Sequence, residues 1–192
     1  NNNDLIYRLG LILYQDGQYK QSLEYLRRHL LYQPKDIEVI KILANILYSL
    51  KRLPESIDNY KRLIELDQNN MKYYNKIASA YWELGNYNKA QFYYNTILEY
   101  EEFQTGQTYY YLGFIANQNK KYDLAQDYFF YARECGYNSL NLYKQLSISL
   151  LEEKNYKDLI PIIHEGLYYN PDNYELLYNL AFSYFHIHLY KE

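Results

Sequence analysis

A chain of 192 residues with one cysteine, one methionine, one tryptophan and four prolines has already closed several routes to function. Cys135 alone cannot form an internal disulfide or supply a zinc site that needs two thiolates. Proteins without disulfides are at home in cytosol and periplasm alike, so the compartment stays open; cytoplasm is the default, and periplasm follows if a targeting segment has been removed. No run of about 18 apolar residues exists, which excludes direct membrane insertion through a spanning helix. A net charge of −3 provides no basic field for a phosphate backbone, so no nucleic acid partner is expected. There is no phosphate-cradling glycine loop, no Gly-x-Ser-x-Gly elbow and no His-Glu-x-x-His pair. The chain opens on "NNND" without a signal-peptide pattern and reads as a segment of a longer chain or a processed form.

What is abundant is tyrosine, with 29 copies in a chain that is 48% hydrophobic and 22% charged. Those proportions belong to a folded globular protein. Tyrosine and asparagine are both encoded by A/T-rich codons, so part of the excess carries no functional information. Each tyrosine therefore has to be argued by position.

Position is set by a repeat. "RLGLILYQDGQYKQSLEYLRRHLLYQP" (8 to 34) aligns with "KIASAYWELGNYNKAQFYYNTILEYEE" (76 to 102) at two steps of 34 residues. The same frame gives units at 3–36, 37–70, 71–104, 106–139 and 140–173, a partial unit at 174–192, and one extra residue, Thr105. Within each unit, two stretches of helical apolar periodicity flank a short break such as "QDGQY", "ELGNY" or "EEKNY". Gly17 and Gly85 suit the left-handed backbone of a tight helix stop. Between units stand "QPKD", "DQNN" and "NPDN", where proline cannot continue a helix and Asp or Asn can cap the next one.

These residues resemble the tetratricopeptide repeat (TPR), a helix-turn-helix unit of the same length. Its signature asks for large residues at positions 4, 7 and 11, small ones at 8, 20 and 27, an aromatic at 24 and proline at 32. The fourth unit offers Tyr109, Leu112, Gly113, Ala116, Ala125, Phe129 and Ala132, and the third Tyr74, Ile77, Ala78, Tyr81, Ala90, Tyr94 and Ile97. Position 17 is Tyr19, Tyr87, Tyr122, Tyr156 and Tyr190, with Leu53 in the second unit. Departures are His29 at position 27, Ala116 at a large position, and proline at 32 only as Pro34 and Pro171. The resemblance implies an all-α fold, a right-handed α-α superhelix (TPR solenoid) of antiparallel helix pairs running through 1–192 as a single domain. Small residues at 8 and 20 let two helices approach, and large ones fill the space around the contact.

Each helix pair leaves a face for its neighbour to bury. The sixth unit stops after one helix, so Leu180, Phe182 and Phe185 should be partly uncovered, inviting further chain, another surface or self-association through 174–192. Pro161 falls where the second helix of the fifth unit should already be running. Asp158 as cap and Leu159 as first helical residue would place it in a tolerated first turn, so that helix is expected to start late, with a wider inner gap.

Candidate chemistry is sparse. His186 and His188 diverge on a helix and make no metal pair. His29 reads as a buried, hydrogen-bonded substitute for alanine, Cys135 as a packing residue, and Glu101 and Glu102 as solvated surface. No catalytic residue, metal or cofactor is assigned.

What remains is the inner surface that the family resemblance implies, with positions 2, 5, 9, 12 and 13 facing a groove. It takes in Tyr7, Leu11, Tyr14, Lys41, Asn45, Tyr48, Lys72, Asn75, Ser79 and Trp82. It continues through Tyr110, Phe114, Asn117, Lys144, Ile148, Leu151, Tyr178, Phe182 and Phe185. Rings give contact area at low entropy cost, and amides pair with a peptide backbone. In "TYYYLG" the frame sends Tyr109 into the repeat, Tyr110 to the groove and Tyr111 to position 6. The chaperone-tail clamp of the family is matched at only two of five positions, Lys41 and Asn45, since Lys76, Gln107 and Tyr111 stand at the others. The asparagine ladder of the sugar-transferase superhelices is absent from position 6. The reading is a non-catalytic scaffold binding a peptide or helix segment of a protein partner. The alternative is a recruiting or self-assembling arm of a larger enzyme or envelope assembly complex.

Overall fold

The computed structural model describes residues 2–68 and 70–189, apart from the side chains of His188 and Leu189. Tyr190, the last of the position-17 tyrosines, lies outside them, as does the side chain of His188. The described residues form α-helices and no strand. They divide into two compact units, 1–99 and 100–192. The first holds α1 (Asn2–Gln15), α2 (Tyr19–Tyr32), α3 (Ile37–Ser49), α4 (Leu53–Leu66), α5 (Met71–Glu83) and α6 (Tyr87–Leu98). The second holds a 3₁₀ turn (Glu101–Phe103), α7 (Gly106–Gln118), α8 (Tyr122–Glu134), α9 (Leu140–Glu152), α10 (Tyr156–Tyr169) and α11 (Tyr174–Leu189). Consecutive helices pack as pairs, and α11 rests on α10 and α9.

The turn inside each pair is the same backbone device five times over. At Gly17, Lys51, Gly85, Lys120 and Lys154 φ is between 58° and 73°, in the left-handed region. The next residue sends its N–H back five positions, as Gln18 to Leu13, Arg52 to Leu47 and Lys121 to Ala116, at 2.8 to 2.9 Å. This closes the helix end and satisfies carbonyls that would otherwise be orphaned. Glycine adopts that φ freely, whereas lysine does so at a cost of about 1 kcal/mol. Three lysines in this conformation were not legible from their letters. Their carrying signal was the shared position in the repeat.

Close helix contact has an equally specific origin. A Cβ on Gly10 would stand 2.6 Å from Leu26, and one on Gly113 would stand 2.6 Å from the Phe129 ring. Leu26 and Phe129 are wholly buried, so neither can yield without a core shift. Serine at position 20 adds a bond across the same contact: Ser22 Oγ donates to the Gly10 carbonyl and Ser56 Oγ to the Ala44 carbonyl, each at 2.8 Å. The fifth pair departs, with Leu159 at that position and the buried Ser147 hydroxyl left without a hydrogen-bond partner.

Three expectations are corrected. α10 does not start late: Asn155 caps it, accepting the Asp158 N–H, and Pro161 lies inside the helix. The carbonyl of Lys157, which Pro161 cannot serve, belongs to an exposed residue of α10, and Pro161 is exposed as well. Cys135 is exposed at the end of α8 and is not a packing residue. Tyr109 is half-buried rather than enclosed, with its hydroxyl donating to Gln104 Oε1 at 2.9 Å. The extra residue Thr105 is the cap of α7, accepting the Thr108 N–H. At α11 Leu176 and Ser183 are buried while Leu177, Tyr178, Phe182, Tyr184 and Phe185 are exposed; Leu180 is half-buried.

Candidate functional site: the strip along the first helices

Residues four apart on a helix share a face, and this spacing builds the site in the first unit. Lys41 and Asn45 project from α3, and Lys72 and Lys76 from α5, around one cavity of about 300 Å³ closed by Tyr60, Asn70 and Tyr73. Lys41, Asn45 and Lys72 were assigned from sequence and the structure brings them together. Lys76, Tyr60, Asn70 and Tyr73 were missed as site residues, although the spacing of Lys72 and Lys76 was the available signal. Tyr60 is buried and donates its hydroxyl to Asn45 Oδ1 at 2.6 Å. Burial raises its pKa well beyond the usual phenol value, so it remains a donor. Lys41 donates to Glu38 at 2.8 Å, and that hydrogen bond is the main reason its pKa is raised.

Along the same unit Tyr48 donates to Glu83 Oε1 at 2.5 Å and lies beneath the amines of Lys51 and Lys76. Hydrogen bonds from Lys51 and Tyr48 hold the Glu83 carboxyl below its ordinary range. Tyr7, Leu11, Tyr14, Ser79 and Trp82 are half-buried and Asn75 is exposed. The Tyr7 ring lies 5.0 Å from His29, Tyr14 lies 6.0 Å from Tyr19, and Trp82 lies 5.1 Å from Tyr87. His29 itself is 3% exposed, between Asn3 Oδ1 at 3.1 Å and Asp36 Oδ2 at 3.0 Å. It ties α2 to the cap of α3.

In the second unit Tyr110, Phe114, Lys144, Ile148 and Leu151 are half-buried and Tyr178 is exposed. Tyr110 sits 5.2 Å from the Tyr137 ring and 6.2 Å from Phe129, and burial pushes its phenol up to about 12. It is thus anchored in the core on one side. Asn117 is different: it is buried, and its amide donates to the Gln145 carbonyl at 2.8 Å, which makes it a tie between α7 and α9. Lys144 pairs with Glu175 at 2.5 Å.

Another depression, about 540 Å³, lies among Phe130, Arg133, Glu134, Asn138, Tyr143, Glu165 and Tyr169. Arg133 reaches Glu165 at 2.5 Å, and the Tyr143 hydroxyl lies 3.0 Å from the same carboxylate and 3.1 Å from Asn138 Oδ1. Its polar groups answer one another, so size alone does not make it a site. Among the described residues no group of three or more His, Cys, Asp or Glu side chains could hold a metal ion, and no helix is long and apolar enough to cross a membrane.

Helix pairs closed by a common turn, with small residues at the crossing, define an all-α repeat protein of the protein-interaction class. The chain carries tetratricopeptide repeats: a TPR repeat model matches residues 44–85, and a tetratricopeptide repeat model matches 4–36 and 72–103. No curated protein matches it. Among solved structures it is similar to MamA of AMB-1, at 15% identity and a TM-score of 0.75 over 89% of this chain and 93% of that one. It is also similar to YrrB, described as a TPR protein with an unusual peptide-binding site, at 12% identity and a TM-score of 0.74 over 90% and 89%. A tetratricopeptide repeat protein from Parabacteroides merdae ATCC 43184 is similar at 22% identity and a TM-score of 0.75 over 95% and 72%. These likenesses are likenesses of fold.

Proposed function

We propose that the chain is a non-catalytic scaffold that binds a peptide or helix segment of a protein partner along its first helices. The observation that carries this reading is the character of the strip. Tyr48, Trp82, Tyr110 and Phe114 keep part of each ring on the surface, while Tyr48 is held by Glu83, Trp82 rests against Tyr87 and Tyr110 against Tyr137. A ring held in place loses little entropy on contact, which is what a binding surface requires. The peptide-binding site named for YrrB supports the same use of the fold. The test is a crosslinking pull-down with the wild type beside a Trp82→Ala, Tyr110→Ala, Phe114→Ala variant. Loss of partners from a variant with unchanged helical circular dichroism is expected; full retention would reject the strip.

A second reading, self-association, is favoured by the exposed rings of α11. Sedimentation equilibrium of the wild type against a Tyr178→Ser, Phe182→Ser, Phe185→Ser variant separates it from the first. Concentration-dependent oligomers that vanish in the variant would establish it.

A further inference from the structure

We propose that the cavity between α9 and α11 receives an arginine side chain of the bound segment, held between aromatic rings and the Glu152 carboxylate. The inference rests on the strip reading above and names the chemistry of what the strip binds.

The second unit already shows how it holds an arginine. The Arg133 guanidinium lies 5.8 Å from the centre of the Phe130 ring and 5.7 Å from that of Tyr143, and it reaches the Glu165 carboxylate at 2.5 Å. Two rings and one glutamate suit this group, because its planar, weakly hydrated cation stacks on aromatic faces and forks onto a carboxylate.

The cavity between α9 and α11, of about 410 Å³, offers the same elements with no arginine among them: Tyr156, Tyr178 and Phe182 supply the rings and Glu152 the carboxylate. Phe182 lies 6.3 Å from Tyr178 and 6.1 Å from Tyr156, inclined at 25° to the first ring and 64° to the second, so the three form a corner rather than a stack. Tyr156 is 8% exposed and His186 backs it at 5.0 Å, so its ring is fixed before any ligand arrives. Tyr178 is 69% exposed and open to contact.

Charge selects the occupant. Glu152 is exposed and hydrogen-bonded to the neutral Tyr122 hydroxyl, and it forms no ion pair among the described residues. Lys154 borders the same cavity from the turn and also forms no ion pair among the described residues, so it does not neutralise Glu152 by contact. The wider field favours a cation: residues 100–192 hold twelve Asp and Glu against seven Lys and Arg, whereas 1–99 hold eleven against thirteen. An apolar side chain would fill the corner of rings and leave the carboxylate unanswered. A lysine amine is compact, strongly hydrated and without a flat face, so arginine answers both rings and carboxylate where lysine answers one.

The test uses the 192-residue chain and three fluorescein-labelled hexapeptides with amidated ends. They differ at two positions, which are arginine, lysine, or citrulline; the last keeps the shape of arginine without its charge. Anisotropy titrations at low salt should show the arginine peptide binding about 10-fold tighter than the citrulline peptide, and tighter than the lysine peptide of equal charge. That advantage should disappear in a Glu152→Gln, Tyr178→Ala variant, whose two positions are exposed and whose helical circular dichroism should be unchanged. In the wild-type complex the arginine δ-methylene protons should move upfield under the ring currents. Parity of the arginine peptide with either control, an advantage that survives the double variant, or arginine protons that stay in place overturns the proposal. The pull-down with the aromatic variant is independent of it: partners lost there while the three peptides bind alike would leave the strip standing and remove the arginine.

Discussion

The two units solve the same helical problem with different reserves. In the first, two of the three inner turns have glycine where φ is positive, Gly17 and Gly85, with Lys51 between them; in the second, Lys120 and Lys154 hold both such turns. In the first, serine hydroxyls at position 20 bond across the helix pair, whereas Ser147 of the second is buried without a partner. The cavities differ in the opposite sense. Arg133, Tyr143, Asn138 and Glu165 of the second unit satisfy one another, while the lysines and Asn45 of the first face outward with donors to spare. Polar groups that pair internally act as structure; those left open are available to a ligand.

The contrast can be broken most strongly at Tyr143, which is 3% exposed, stacked on Tyr169 at 5.5 Å and covered by Arg133. Tyr143→Ala should cost about 3 to 5 kcal/mol, read as a lowered urea midpoint, with loss of amide protection in α9 and α10. A Tyr143→Phe variant, which keeps the ring and removes only the hydroxyl, should cost about 1 kcal/mol. If both changes were silent, the network would be surface decoration.

Next in size is the backbone. Lys120 is exposed and held at φ 58°, so Lys120→Gly should raise stability by about 1 kcal/mol, and Gly85→Ala should lower it by a similar amount. Thermal melts of both variants check the pair. Equal and opposite shifts would place the strain where the turns differ.

The smallest expected effect is the most diagnostic. Lys72→Ala should leave stability within about 0.5 kcal/mol of the wild type, because Lys72 is exposed. A stability loss comparable to that at Tyr143 would show that the first cavity is as internally engaged as the second.

Much of the fold was legible from letters. The recurrence of Gly10, Ala44, Ala78 and Gly113 at one position dictated where two helices touch, since any Cβ at Gly113 would collide with Phe129. Of the α3/α5 cavity, Lys41, Asn45 and Lys72 were named because the family resemblance implies that their repeat positions face inward. Tyr60 was not, because it belongs to a second helix and reaches Asn45 from 15 residues away. The mistakes were of the same kind. Pro161 read as a late start because the rule against helical proline is local, while Asn155 and the packing of α10 on α9 set the start where other pairs have it.

The sequence by itself determined the helices, their pairing and the repeat, because 34-residue periodicity, small crossings and caps are properties of neighbours along the chain. Only tertiary structure decided which polar side chains are already answered. Arg133 and Glu165, 32 residues apart, meet and cancel, whereas Lys72 forms no ion pair with a carboxylate among the described residues. Whether a charge is structural or available depends on what the fold brings within about 4 Å of it, and that distance is set by packing rather than by position in the chain.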